Sequence, residues 1–218
     1  MRKIITIQHT QSEQHLNKMI GSWSDWDLTA SGIDQSNNIG KRLSSEINVN
    51  EYVLYSSDLS RAKRTAEIVG SYLGTSPIYA EALREFHLGE AIGHSKEWAK
   101  NNLCCSVFPG TVDWSQKVDD IPFANSETKL DVWNRVSVFL DNVLRATDKN
   151  LIIVSHDGTL SILFAIWLGL DIEQLNKISF FGKTGGVSFL SEDDHGNRII
   201  HRLNDMSYIH IQSNIVSS

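Results

Sequence analysis

Apolar positions along this chain fall into short β-branched runs separated by longer stretches with helical spacing. Lys3 to Thr10 (K-I-I-T-I-Q-H-T) is such a run, ending abruptly in His9 before the polar loop Gln11-Ser-Glu-Gln-His15. A short, β-branched and continuously apolar run predicts a buried strand rather than a helix. Tyr52 to Tyr55 predicts a second strand, Ile78 to Leu83 a shorter one, and Leu151 to Val154 another buried one. Gly185 to Leu190 and Arg198 to Leu203 predict a closing pair around the turn Asp193-Asp194-His195-Gly196.

Four helical patterns lie between the strands. The first is capped by Thr29, carries Ile33, Ile39, Leu43 and Ile47, and ends near Asn48. The second spans about Leu59 to Leu73, with Ser56-Ser57-Asp58 as capping residues and Gly74 and Pro77 at its end. The third runs from Ser126 to about Thr147 with Leu130, Trp133, Val136, Leu140 and Val143 on one face. The fourth, Leu160 to Leu170, reads as buried. Alternating strands and helices predict an α/β fold of three layers, a mainly parallel sheet with helices on both faces. With no repeat or linker, a single domain over 1–218 is expected. Residues 86–125 keep no period and predict an irregular lid insertion on the substrate side. Its aromatics Trp98, Phe108, Trp114 and Phe123 read first as lid core and second as substrate contacts.

Composition narrows the classes. A hydrophobic fraction of 41% with six Trp and eight Phe supplies a substantial core for 218 residues. A net charge of −6 gives no global attraction for nucleic acid or an anionic membrane, so an anionic substrate must be held by local positive charge. The adjacent Cys104 and Cys105 supply no spaced metal framework and suit a reducing compartment. Ile4 to Ile7 is too short for a secretory segment, and Leu160 to Leu170 too short to span a bilayer. A cytoplasmic, soluble protein with neither membrane nor nucleic-acid partner is expected, and nothing in the pattern indicates an oligomeric state.

Two of the buried-type strands run directly into a histidine, Ile-Thr-Ile-Gln-His9 and Ile-Val-Ser-His156, and in a parallel sheet both would open on one edge. Arg61, just inside a helix, and Glu85, at the end of a segment, complete the set. Singly these could be a loop histidine, a solvated helix residue, a surface carboxylate and a turn residue. Together they suit phosphoryl transfer through histidine. A neutral imidazole is a competent nucleophile toward phosphorus. The equatorial oxygens need donors placed in advance, which Arg61, a protonated His156 and the amides at Ser57-Asp58-Leu59 and Gly158-Thr159 would offer. Glu85 is the carboxyl best placed to carry the leaving oxygen's proton. A metal hydrolase built on His9, His87, His94 and His156 lacks ligand spacing, so no metal or cofactor is expected.

These residues resemble the histidine phosphatase superfamily, which includes the cofactor-dependent phosphoglycerate mutases. The family's R-H-G stands here as Gln8-His9-Thr10, and S-S-x-L-x-R-A-x-x-T-A as Ser56-Ser57-Asp58-Leu59-Ser60-Arg61-Ala62-Lys63-Arg64-Thr65-Ala66. Its L-x-E is Leu83-Arg84-Glu85, and V-S-H-G-G is Val154-Ser155-His156-Asp157-Gly158. Trp23, Asp25 and Leu28-Thr29 resemble the G-W-x-D-x-x-L-T segment, and Glu127 with residues 131–136 the long helix. The resemblance implies that His9 is the phosphorylated nucleophile, Glu85 the proton donor and Arg61 and His156 phosphate ligands, with Gln8, Thr10 and His15 beside them.

Three departures bear on activity. Gln8 replaces a cationic fork with neutral donors, and neutral bonds are about half as strong as charge-assisted ones. His15 stands where the family commonly has asparagine, and if protonated it would restore charge. Asp157 replaces a glycine and would repel phosphate if it pointed inward. Restoring arginine at position 8 is therefore expected to raise activity on small phosphates. Between Phe86 and Ser126 stand Lys96, Lys100 and Lys117 against Glu90, Glu97, Asp113, Asp119 and Asp120, a poor balance for a bisphosphate. Hydrolysis of a small phosphate monoester with an apolar or neutral leaving group leads. Mutase-type transfer, or a weakly active or non-catalytic phospho-ligand binder, stays open.

Overall fold

A computed structural model describes residues 2–104 and 117–210. Its centre is β1 (Arg2–Gln8), with Ile4, Ile5 and Ile7 at 0–1% exposure. Then come α1 (Glu13–Asn17), α2 (Ala30–Glu46), β2 (Tyr52–Ser56), α3 (Ser60–Leu73), the two-residue β3 (Ile78–Tyr79) and α4 (Lys96–Asn101). The chain continues through α5 (Lys129–Ala146), β4 (Asn150–Ser155), α6 (Asp157–Trp167), β5 (Val187–Glu192) and β6 (Arg198–Asp205).

The sheet order is β3-β2-β4-β1-β5-β6. The first four strands in that order are parallel, whereas β5 and β6 are antiparallel to their neighbours. Both faces are covered. Ile4, Leu151 and Ile153 pack with Val136 and Leu140 of α5 and Leu163 of α6. Ile5, Ile7 and Val154 pack with Ile39 and Leu43 of α2 and Ala62, Ala66 and Val69 of α3. This is the expected three-layer α/β architecture, with an antiparallel margin. Among the described residues no helix is long and apolar enough to cross a membrane.

Several local expectations are corrected. In α2 the buried positions are Gly32, Ser36, Ile39, Gly40 and Leu43, while Ile33 is exposed. Small residues form the contact face because α2 lies tightly against its neighbours. The cap of α5 is Thr128, which accepts from Asp131 N–H, so the helix starts at Lys129 and buries Val132, Val136, Phe139, Leu140 and Val143; Leu130 is exposed. The segment expected as a strand over 78–83 pairs only at Ile78 and Tyr79, then turns through a 3-10 helix at Glu81–Leu83. The insertion has its own small core of Ile20, Leu88, Ala91, Ala99 and Phe123, with Trp98 packed against it. Phe123 and Trp98 are thus lid core, whereas Phe108 and Trp114 lie outside the described residues.

Candidate active site

Strand register delivers the two histidines to one place. In the parallel pairing of β1 with β4, Gln8 stands opposite Ser155, so the next residue of each strand, His9 and His156, emerges at the same edge. Their ring centroids are 5.1 Å apart. Both rings are buried, at 3% and 0% exposure.

The hydrogen bonds of His9 assign its tautomer. Nδ1 lies 2.9 Å from the Thr10 carbonyl, which can only accept, so Nδ1 carries the proton. Nε2 then holds the lone pair, and Arg61 Nε–H donates to it at 3.2 Å. Burial, reinforced by the Arg61 cation and by His15, holds the His9 pKa well below 6.5. His9 is a neutral imidazole whose Nε2 is the available base.

Arg61 is the second residue of α3, at 1% exposure. Besides Nε, its Nη1 donates to Ser24 O at 3.1 Å and its Nη2 to Ser22 O at 2.8 Å. Burial lowers its pKa to about 10, partly countered by Glu85 and Asp25, so it stays cationic at neutral pH. The three bonds aim a planar fork at His9, with two of the five N–H groups of a guanidinium outside them.

The expected cap residues of α3 are used elsewhere. Leu59 is the N-cap and makes no side-chain cap bond. Ser57 Oγ lies 2.9 Å from His156 Nε2 and also accepts from Leu59 N–H. Asp58 binds Arg84 at 2.8 and 2.5 Å. The His156 Nδ1 is buried with no hydrogen-bond partner among the described residues. Burial, then Arg61 and His9, hold the His156 pKa well below 6.5. His156 is therefore a neutral ring able to offer one donor.

Glu85 follows the 3-10 turn at 81–83. Its Oε1 accepts from Phe86 N–H at 3.0 Å and its Oε2 from Gly158 N–H in the first turn of α6 at 3.3 Å. A Cβ on Gly158 would stand 2.7 Å from Glu85 Oε1 and 2.9 Å from the Phe86 ring, so a larger residue there would displace one of them. The Glu85 carbonyl is pinned by Trp23 Nε1–H at 2.7 Å and by Arg135, which is itself held by Glu127. A cavity of about 300 Å³ opens beside Arg61, Glu85, Asp157 and Gly158. Its apolar wall includes Phe86, Ile162, Phe180 and Phe181, and Lys96, Lys117 and Lys129 line it too. Arg61 lies between this cavity and His9, lining the one and bonded to the other.

The remaining expected residues are placed differently. The Gln8 side chain does not line that cavity; it lies with Asp157, Gly182 and Asn204 around a smaller crevice. The Thr10 hydroxyl is buried against Ser36 and Thr65, 2.8 and 3.2 Å away, so its carbonyl, and not its side chain, serves the site. His15 stands 5.6 Å from His9, centroid to centroid. Its Nδ1 accepts from Ser12 N–H at 3.1 Å, and burial, with Lys96 and Arg61, lowers its pKa. His15 is thus neutral and does not supply the charge that Gln8 lacks. Asp157 Oδ1 accepts from Gly182 N–H at 2.7 Å, and burial, with Glu85 nearby, raises its pKa to about 6. Sequence reasoning missed Phe180 and Phe181, which lie in a stretch without period, and Lys129, which lies just past the insertion.

Comparison with known proteins agrees with this geometry. The family model of the histidine phosphatase superfamily (branch 1) matches residues 4–205. The chain is 28% identical over 179 residues to a putative phosphoserine phosphatase 2 of Hydrogenobacter thermophilus, covering 82% of this chain and 84% of that one. It is 27% identical over 189 residues to a 2,3-bisphosphoglycerate-dependent phosphoglycerate mutase of Allorhizobium ampelinum, covering 81% and 84%. In fold it resembles a mycobacterial glucosyl-3-phosphoglycerate phosphatase (TM-score 0.79, 20% identity, 94% and 99% covered). It also resembles an Entamoeba histolytica phosphoserine phosphatase solved with 3-phosphoglyceric acid (TM-score 0.73, 21% identity, 96% and 100% covered). The paired strand-end histidines, the buried arginine between them and the cavity, and the match over nearly the whole chain lead to one assignment: this protein is an enzyme of the histidine phosphatase superfamily, branch 1.

Proposed function

We propose that the protein hydrolyses a small phosphate monoester through a phosphohistidine formed on His9. The observation that carries this reading is the His9 tautomer, with Nδ1–H held by the Thr10 carbonyl and a basic Nε2 beside the Arg61 fork. Nε2 attacks phosphorus after Arg61 Nε–H turns from it to a phosphoryl oxygen. The bond from phosphorus to the leaving oxygen breaks, and that oxygen takes a proton from Glu85. Arg61 and the Nδ1 edge of His156 stabilise the equatorial oxygens, whose charge spreads in the transition state. Water then attacks the phosphohistidine, Glu85 accepts its proton, and cleavage of the P–N bond releases inorganic phosphate and neutral His9.

The test is hydrolysis of a generic aryl phosphate by wild type and His9→Ala. The substitution is expected to reduce kcat on the order of 10³-fold or more and to abolish an acid-labile adduct at residue 9. Turnover that survives it removes His9 as nucleophile.

Mutase-type transfer is the second reading, favoured by Lys96, Lys117 and Lys129 around the cavity. Its test is conversion of 3- to 2-phosphoglycerate after priming with bisphosphate; no conversion eliminates it. A non-catalytic phospho-ligand binder would leave no phosphoryl adduct on His9.

A further inference from the structure

Asp157 is a mostly buried acid that the proposed chemistry does not use. It is the first residue of α6 and lines both the large cavity and the crevice behind it. A carboxylate in that place, near Glu85, is held against an unfavourable field. Its geometry shows what it holds. Oδ1 accepts from Gly182 N–H at 2.7 Å, and one turn along α6 Ser161 Oγ accepts from Phe180 N–H at 3.0 Å. Lys183 N–H donates to Asn204 Oδ1 at 2.8 Å, and Gly185 N–H to the Gln8 carbonyl at 3.1 Å.

The segment between these anchors carries Phe180 and Phe181. Phe180 packs edge-on against Phe164, centroids 5.9 Å apart, and both Phe180 and Phe181 line the large cavity. The approach is so close that a Cβ on Gly182 would strike Gln8 Oε1 and stand 3.1 Å from Asp157 Oδ1. Two of the side chains that depart from the family motifs, Gln8 and Asp157, therefore meet at one backbone position.

We propose that Asp157, with Gln8, is a positioning residue that seats residues 179–182 as the apolar wall of the cavity and thereby selects the leaving group. This rests on the reading of the large cavity as the substrate site. It predicts that bulky apolar esters depend on Asp157 more than small ones do.

The experiment compares wild type, Asp157→Ala and Asp157→Asn in amide hydrogen exchange and in kinetics with 1-naphthyl phosphate and methyl phosphate. Asp157→Ala is expected to quicken exchange over residues 178–186 about tenfold, since one charge-assisted bond is lost. It should raise KM for 1-naphthyl phosphate about tenfold and several times less for methyl phosphate. Asp157→Asn, which keeps an acceptor oxygen, should recover most of both effects. Unchanged exchange in Asp157→Ala, equal losses on the two esters, or an Asn variant as impaired as the Ala variant would each overturn the proposal. If wild type hydrolyses neither ester, the phosphatase reading falls, and the exchange comparison alone supports or overturns the seating.

Discussion

Residues 8 and 9 are neighbours in sequence but serve opposite sides of the sheet. His9 turns toward α3, where it accepts from Arg61, which donates in turn to the Ser22 and Ser24 carbonyls. Gln8 turns toward α6, where Asp157, Gly182 and Asn204 hold the 178–186 segment. The first side keeps the histidine and arginine of the family motifs, with Thr10 and His15 as its departures; the second carries two others, Gln8 and Asp157. In the proposed mechanism the first side would meet phosphorus and be constrained by the charge it must stabilise, whereas the second would meet the rest of the substrate and could change by local hydrogen-bond rearrangement.

The largest way to break that contrast is on the α3 side. Arg61→Ala is expected to lower kcat about 10²–10³-fold, as removal of one donor at a developing charge does elsewhere. Arg61→Lys should recover little, because a point charge cannot bond Ser22 O, Ser24 O and His9 together; single-turnover rates measure this. Gly158→Ala follows. Its methyl would push Glu85 or Phe86, and if Glu85 carries the proton as proposed, its displacement is expected to cost about ten- to a hundredfold in kcat with KM less affected.

Asp157→Asn tests the other side through stability. The folded carboxyl titrates at about 6 against an ordinary 3.8, so its contribution is favourable below pH 3.8 and is lost as pH rises through 6. The asparagine escapes that loss. It should be more stable than wild type by about 1–3 kcal/mol at pH 7.5, with the gain fading toward pH 4 in urea denaturation. A gain equal at both pH values would contradict the assignment.

The smallest effect is expected from Gln8→Arg. Sequence alone predicts a rise in activity. In the fold an arginine there meets Asp157 and the Gly182 backbone, so activity on small phosphates should stay within about threefold of wild type. Adding Asp157→Gly should release the fork, and a double-mutant cycle on kcat/KM reads the coupling.

Much of this site is legible in the amino-acid sequence. Two β-branched runs that stop at histidines locate the sheet edge, and the spaced arginine and glutamate follow from the motifs. The direction of Gln8 is not legible, because Ile4, Ile5 and Ile7 are all buried and a strand covered on both faces shows no alternation to mark its sides. Phe180 and Phe181 sit in an aperiodic connection whose position depends on hydrogen bonds to Asp157 and Ser161, remote from any local pattern. Helices α1 and α4, of 5 and 6 residues, are too short to register as periodicity. Most of the faces expected for α2 and α5 are buried as predicted; Ile33 and Leu130 are exposed, small residues such as Gly32 and Ser36 share the contact face of α2, and α5 starts at Lys129, after a cap two residues beyond Ser126.

The bond from His9 Nδ1–H to the Thr10 carbonyl has a regiochemical consequence. An imidazole can be phosphorylated on either nitrogen, giving two isomers that differ in NMR shift and in hydrolytic lability. A backbone carbonyl fixed by the end of β1 occupies one nitrogen and turns the other toward Arg61. Under the proposed mechanism a covalent intermediate would thereby be restricted to the isomer on the nitrogen remote from the main chain, chosen by a peptide group and not by any side chain.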